Sequence, residues 1–201
     1  MKDKDKQRLA KQMYDVCNLE GTFRLHSGAT SNEYFDKYRF ASDPKLFLEI
    51  VKGVAELVPA EAEMLAGLEM GGVPLVTMLS QLTGLPALFV RRKAREYGTC
   101  KLAEGGDFAG KHVVLVEDVV TFAGQLLLSV KELRSHGANV QYALCVIDRE
   151  SGGRENLAGT NVSLRSLYTL SELKAGAGRA DPSPAEAAKT ETPPVKKPEA
   201  S

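Results

Sequence analysis

Four apolar runs in the middle of the chain, MLAGLE from Met64, ALFVRR from Ala87, VVLVED from Val113 and YALCVIDR from Tyr142, each end in a charged residue. Between them, PLVTMLSQLTG and GQLLLSVKELRSHG carry helical spacing. Strands apolar on both faces that alternate with helices predict a central, mostly parallel sheet flanked by helices, an α/β layer fold. In such sheets ligands gather at the carboxyl ends of the strands, where the loops leave. GLEMGG, RRKAREYGT, EDVVTFAGQ and DRESGG all fall at those ends, so four loops are expected to converge on one crevice.

The other segments frame this unit. Residues 5–19 place Leu9, Met13, Val16 and Leu19 on one helical face, and residues 44–58 repeat the pattern behind Pro44, a favoured helix start. A length of 201 residues with 43% hydrophobic content fits one compact domain. From about Ala175 the chain turns to GAGRADPSPAEAAKTETPPVKKPEAS, in which Val195 is the sole large apolar residue. The expectation is a domain over 1–174 and a disordered Pro/Ala/Lys/Glu-rich tail over 175–201.

Composition narrows the partners. Lys and Arg total 26 and Asp and Glu total 26, so no bulk field draws the chain to nucleic acid or an anionic membrane. No helix-turn-helix pattern or basic stripe is present, and no apolar stretch has the length of a signal peptide or a membrane span. Cys17, Cys100 and Cys145 are an odd number without a CxxC pair, which argues against a disulfide framework or a zinc site and for a reducing cytoplasm.

The chemistry concentrates in HVVLVEDVVTFAGQ. Glu117 and Asp118 are expected just past a buried strand, where carboxylates can accept hydrogen bonds from vicinal hydroxyls or hold a hydrated cation. Thr121 to Gln125 then supply a hydroxyl, small residues and free N–H groups at the start of a helix, a ready anion site. A sugar beside a phosphate would satisfy both halves.

VVLVEDVVTFAGQ resembles the motif by which type I phosphoribosyltransferases bind phosphoribosyl diphosphate (PRPP). GTFRLHSGATSNEYFD, GLEMGGVPL, FVRRKAREYGTCKLAEGG and CVIDRESGG resemble, in the same order, further segments of the orotate branch of that family. The resemblance covers roughly residues 9–173. It implies the type I phosphoribosyltransferase fold with a small hood. It also implies transfer of a phosphoribosyl group from PRPP to orotate in pyrimidine nucleotide synthesis, Mg²⁺ as cofactor, and a homodimer with shared active sites. Two alternatives stay open: transfer to another base, and a non-catalytic nucleotide or PRPP regulator on the same fold.

Residue by residue, the resemblance puts PRPP against Glu117, Asp118, Val119, Val120, Thr121, Phe122, Ala123, Gly124 and Gln125. It puts the pyrophosphate loop at Met70 and Gly71, and a mobile loop carrying Arg91, Arg92, Arg95 and Tyr97 over the same ligand. Arg95 and Asp118 are the implied catalytic residues. Orotate is expected against His26, Tyr34, Phe35 and Thr121, with its carboxylate on Arg149, whose planar fork suits a bidentate pair.

The chain departs from the family pattern where ligands are contacted. Phe122 and Ala123 stand where a small residue and a glycine are usual, Arg95 where a catalytic lysine is usual, Tyr97 where histidine is often found, and His26 where lysine or a small polar residue is often found. If position 123 needs a positive φ, alanine there costs about 1 kcal/mol or somewhat more.

Overall fold

The chain begins with helix α1 (Asp3–Cys17), whose buried stripe is Leu9, Ala10, Met13, Tyr14 and Cys17. It continues into a two-stranded antiparallel hairpin, β1 (Asn18–Arg24) and β2 (Thr30–Phe35). The structure, a computed structural model, describes residues 1–24, 28, 30–92 and 103–179. Helices α2 (Lys37–Ser42) and α3 (Pro44–Ala55) are each started by an aspartate cap. Asp36 accepts from the Tyr38 N–H, and Asp43 accepts from those of Lys45 and Leu46, satisfying donors the first turn would leave bare.

Strands and helices then alternate: β3 (Met64–Leu68), α4 (Gly72–Thr83), β4 (Ala87–Val90), the two-residue β5 (Ala103–Glu104), β6 (His112–Val120), α5 (Gly124–Ser135), β7 (Asn139–Asp148), α6 (Gly153–Ala158), β8 (Ser163–Thr169) and α7 (Leu170–Gly176). The six-stranded sheet has the order β5-β4-β3-β6-β7-β8, and every neighbouring pair is parallel except β4 and β5. The mostly parallel sheet foreseen in the apolar runs is present.

Strand alternation builds two cores from one sheet. Leu65, Val114, Val116, Leu144 and Val146 face a layer that includes Leu9, Met13, Phe40, Ile50, Val51, Leu75 and Leu79. Met64, Ala66, Leu68, Val113, Leu115, Ala143 and Cys145 face Leu126, Val130, Leu133 and Leu157 of α5 and α6. Helices therefore cover both faces, which leaves the carboxyl ends of β3, β6 and β7 as a shared edge open to a ligand.

Three boundaries differ from expectation. Helix α1 stops at Cys17, not at 19, because Asn18 and Leu19 pair with Phe35 and Tyr34 in the hairpin. The edge strand β8 was not foreseen, since only half of SLRSLYT is buried and its Arg165 packs over the Tyr142 ring at 4.5 Å. The described structure also continues past 174: α7 extends to Gly176, Ala177 packs on the core, and Arg179 pairs with Glu20 and Glu33. Among the described residues, no helix is long and apolar enough to cross a membrane.

Candidate active site

Glu117 and Asp118 belong to β6 itself, where the sequence suggested a position just past the strand. Strand pairing continues beyond them, Val119 with Ile147 and Val120 with Asp148, so both carboxylates are anchored on sheet backbone. Asp118 is 4% exposed. Its Oδ1 accepts from the Val119 N–H at 2.7 Å and from Lys37 Nζ at 2.8 Å, while its own N–H donates to Glu117 Oε1 at 3.0 Å. Burial, with the hydrogen bond and charge of Asp118 beside it, pushes the Glu117 carboxyl up to about 8. Burial alone would lower the Lys37 ammonium, but its bond to Asp118 outweighs this and leaves it raised.

The loop after β3 closes against the same carboxylate. The Glu69–Met70 peptide bond is cis, Met70 is exposed, and a Cβ on Gly71 would overlap the carboxylate of Asp118. Glycine is therefore required at 71 for the acid to lie against this turn. The Glu69 N–H donates to the Val90 carbonyl at 2.8 Å and the Glu69 Oε1 accepts from the Arg92 N–H at 2.7 Å, so one residue ties the turn to the end of β4. Among the described residues, Arg91 Nε is buried without a hydrogen-bond partner.

Past β6, Thr121, Phe122 and Ala123 form the turn into α5. Ala123 sits at φ 59° and ψ 17°, so the left-handed backbone asked of this position is real and costs about 1 kcal/mol or more with a Cβ present. Phe122 is 66% exposed, and its carbonyl accepts from Asn156 Nδ2 at 3.1 Å. No side-chain cap serves the start of α5 at Gly124 and Gln125, which leaves its first N–H groups suited to an anion.

A cavity of about 250 Å³ joins this edge to the hairpin. Tyr34, Phe35, Thr121 and Arg149, four of the five residues expected to hold a flat anionic base, all line it, together with Lys37, Tyr38, Val119, Ile147 and Leu170. Arg149 is placed by its own N–H, which donates to the Val120 carbonyl at 2.9 Å. Behind it, buried Asp148 pairs with Arg154 at 3.0 Å and accepts from the Glu150 N–H. His26, Arg95 and Tyr97 lie outside the described residues.

Lys37 was missed in the sequence. The available signal was its place after the Asp36 cap in YFDKYRF, which sets it at the first turn of a helix behind the expected base-binding pair, but a lone lysine there reads as a solvated charge. For a metal, no group of three or more His, Cys, Asp or Glu side chains is assembled among the described residues. Two adjacent carboxylates nonetheless fit a hard divalent cation whose remaining ligands are water and phosphate oxygens, the usual way Mg²⁺ is held.

Comparison with known proteins agrees with this fold. The model of the phosphoribosyl transferase domain family matches residues 46–165. An orotate phosphoribosyltransferase of a Nocardioides species is 48% identical over 167 residues, covering 83% of this chain and 93% of the relative. The crystal structure of orotate phosphoribosyltransferase from Aeropyrum pernix superposes with a TM-score of 0.73 at 29% identity, over 85% of this chain and 98% of that one. The Mycobacterium tuberculosis orotate phosphoribosyltransferase in complex with 5-phospho-alpha-D-ribosyl 1-diphosphate gives 0.72 at 25% identity, over 84% and 98%. A family model over more than half of the chain and a relative 48% identical across most of it show that the chain belongs to the phosphoribosyl transferase family, among its orotate phosphoribosyltransferases.

Proposed function

We propose that the chain transfers the phosphoribosyl group of PRPP to orotate, giving orotidine 5′-monophosphate and pyrophosphate in pyrimidine biosynthesis. The observation that carries this reading is the cavity in which Arg149, Thr121, Tyr34 and Phe35 meet beside Asp118. A guanidinium at one end and aromatic rings around it suit a planar ring bearing a carboxylate.

In this reading Glu117 and Asp118 take the ribose hydroxyls, and Val119 to Gln125 wrap the 5′-phosphate with backbone N–H groups at the start of α5. Met70 and Gly71 offer the pyrophosphate their backbone, and Arg91, Arg92, Arg95 and Tyr97 bind the same ligand. The base nitrogen forms its bond to the anomeric carbon as the bond to pyrophosphate oxygen breaks; the bonding pair leaves with pyrophosphate, and the proton of that nitrogen passes to water. Positive charge building on the ribose faces Asp118, and catalysis is positioning plus charge stabilisation, with Asp118 and Arg95 as the catalytic residues. Mg²⁺ bound with PRPP would neutralise charge on the departing pyrophosphate.

The same reading takes the enzyme to be a cytoplasmic homodimer, in keeping with free, buried Cys17 and Cys145 and with Leu82 and Phe89 exposed on α4 and β4 as apolar surface for a second copy. The test mixes protein, orotate, PRPP and Mg²⁺ and follows orotate absorbance against a control without PRPP. PRPP-dependent loss is expected, and Arg149→Met should reduce it by roughly 100-fold or more, as removal of a charged anchor in a partly buried site does. Unchanged turnover of orotate by Arg149→Met would sink the assignment of the base.

A further inference from the structure

The ammonium group of Lys37 belongs to two places at once. It lies 2.8 Å from Asp118 Oδ1, and its side chain lines the cavity that Arg149, Thr121, Tyr34 and Phe35 surround. Its backbone is fixed from both directions. The Asp36 N–H donates to the Cys17 carbonyl at 2.9 Å, and the Asp36 carboxylate caps α2 through the Tyr38 N–H. Phe35, two residues before Lys37, pairs with Asn18 in the hairpin. On its far side the Asp118 carboxylate abuts the turn at Gly71, which has no room for a side chain. Asp118 is thus clamped between one cation and backbone.

The charges explain why a cation belongs at this position. Arg149 lines the cavity, and Asp118, buried, lies beside it on Lys37. An anionic base entering that space meets a buried carboxylate, and like charges in a partly dry cavity repel far more than they would in water. A single ammonium between the two anions turns the contact into an attraction on both sides. Lys37, with its side chain 32% exposed, is sheltered enough for its charge to be felt.

We propose that Lys37 is a positioning residue for the transfer reaction: it holds Asp118 toward the sugar and gives the base cavity the positive charge an anionic pyrimidine needs beside a buried carboxylate. The inference rests on the orotate reading and adds to it a residue that links the two substrates. An uncharged side chain of similar length loses both effects. Arginine keeps the charge but reaches the carboxylate with a planar fork, so it restores function only in part.

Steady-state kinetics of the full-length parent, Lys37→Met and Lys37→Arg, each with its thermal midpoint, tests this. Lys37→Met is expected to raise KM for orotate roughly tenfold or more and to lower kcat, at a midpoint within about 2 °C of the parent, and Lys37→Arg to recover a clear part of the loss. An orotate KM for Lys37→Met within about twofold of the parent overturns the proposal, as does a loss that follows a lowered midpoint and is not relieved by arginine. Failure of the parent itself to consume orotate with PRPP overturns the transfer reading, and this inference with it, and is told apart by the parent alone.

Discussion

Two carboxylates on consecutive residues at a buried strand end cannot both be charged without cost, and here the proton stays on Glu117. Its carboxyl is pushed up to about 8 by burial first and then by Asp118. The unfolded chain loses this proton near the ordinary value of 4.5, whereas the folded ligand-free chain keeps it to about pH 8. The unfolded state therefore binds fewer protons across that window, and stability falls as pH rises through it. The contribution is fully present below pH 4.5 and lost above the folded value. Glu117→Gln removes the titration and keeps a hydrogen-bonding group, so its unfolding free energy should vary less between pH 5 and 8.5 and exceed the parent's at pH 8.5 by a few kcal/mol, on the order of the rise from 4.5 to about 8. Urea unfolding at several pH values reads this directly; identical pH slopes for parent and variant would exclude Glu117 as the source.

The elements that carry the site are supported from behind. Buried Asp148 at the end of β7 takes the Arg154 guanidinium of α6, and Arg154 Nη1 also donates to the Leu164 carbonyl of β8 at 2.6 Å. Glu150, two residues on, accepts from the Ser171 N–H and hydroxyl at the start of α7. Arg149 lies between these anchors. Among the described residues, Arg154→Ala leaves the buried Asp148 carboxylate with only the Glu150 N–H, so a stability loss of about 2 to 3 kcal/mol is expected, with KM for orotate raised several-fold and KM for PRPP little changed. A chemical-denaturation curve and the two KM values check it; an unaltered orotate KM would mean that Arg149 needs no support from α6. Apolar runs flanked by charge made β3, β4, β6 and β7 legible, and the string from Glu117 to Gln125 marked the strand end that carries the acid pair and the uncapped start of α5, because both depend on local pattern. Lys37 and Arg154 were not legible, since their meaning comes from residues 81 and 6 positions away that only the folded sheet brings to them. Strand β8 escaped because an edge strand needs only half an apolar pattern.

At the scale of the whole molecule, the hairpin whose Tyr34 and Phe35 line the cavity beside Arg149 is held by both ends of the described chain. Helix α1 leads directly into β1, and α7 packs on α1 so closely that a Cβ on Gly176 would meet Ala10. The Tyr168 hydroxyl donates to the Lys6 carbonyl at 2.6 Å, and Lys6 pairs with Glu172. Beyond α7, Arg179 pairs with Glu20 of β1 at 2.9 Å and approaches Glu33 of β2 at 3.6 Å, while also lying 5.7 Å from the Tyr14 ring. These ion pairs are exposed and individually weak, but they bridge the two strands of a unit with little core of its own. Residues 175–179 are therefore expected to add to the stability of the domain. A chain ending at Arg179 is expected to keep the parent's thermal midpoint within about 1 °C and its KM for orotate, whereas one ending at Lys174 loses the Gly176, Ala177 and Arg179 contacts and should melt about 4 to 8 °C lower with a raised KM. Differential scanning calorimetry of the two truncations decides between them: equal midpoints would show that the hairpin is held by α1 alone, and a loss in both would assign a structural role to residues 180–201.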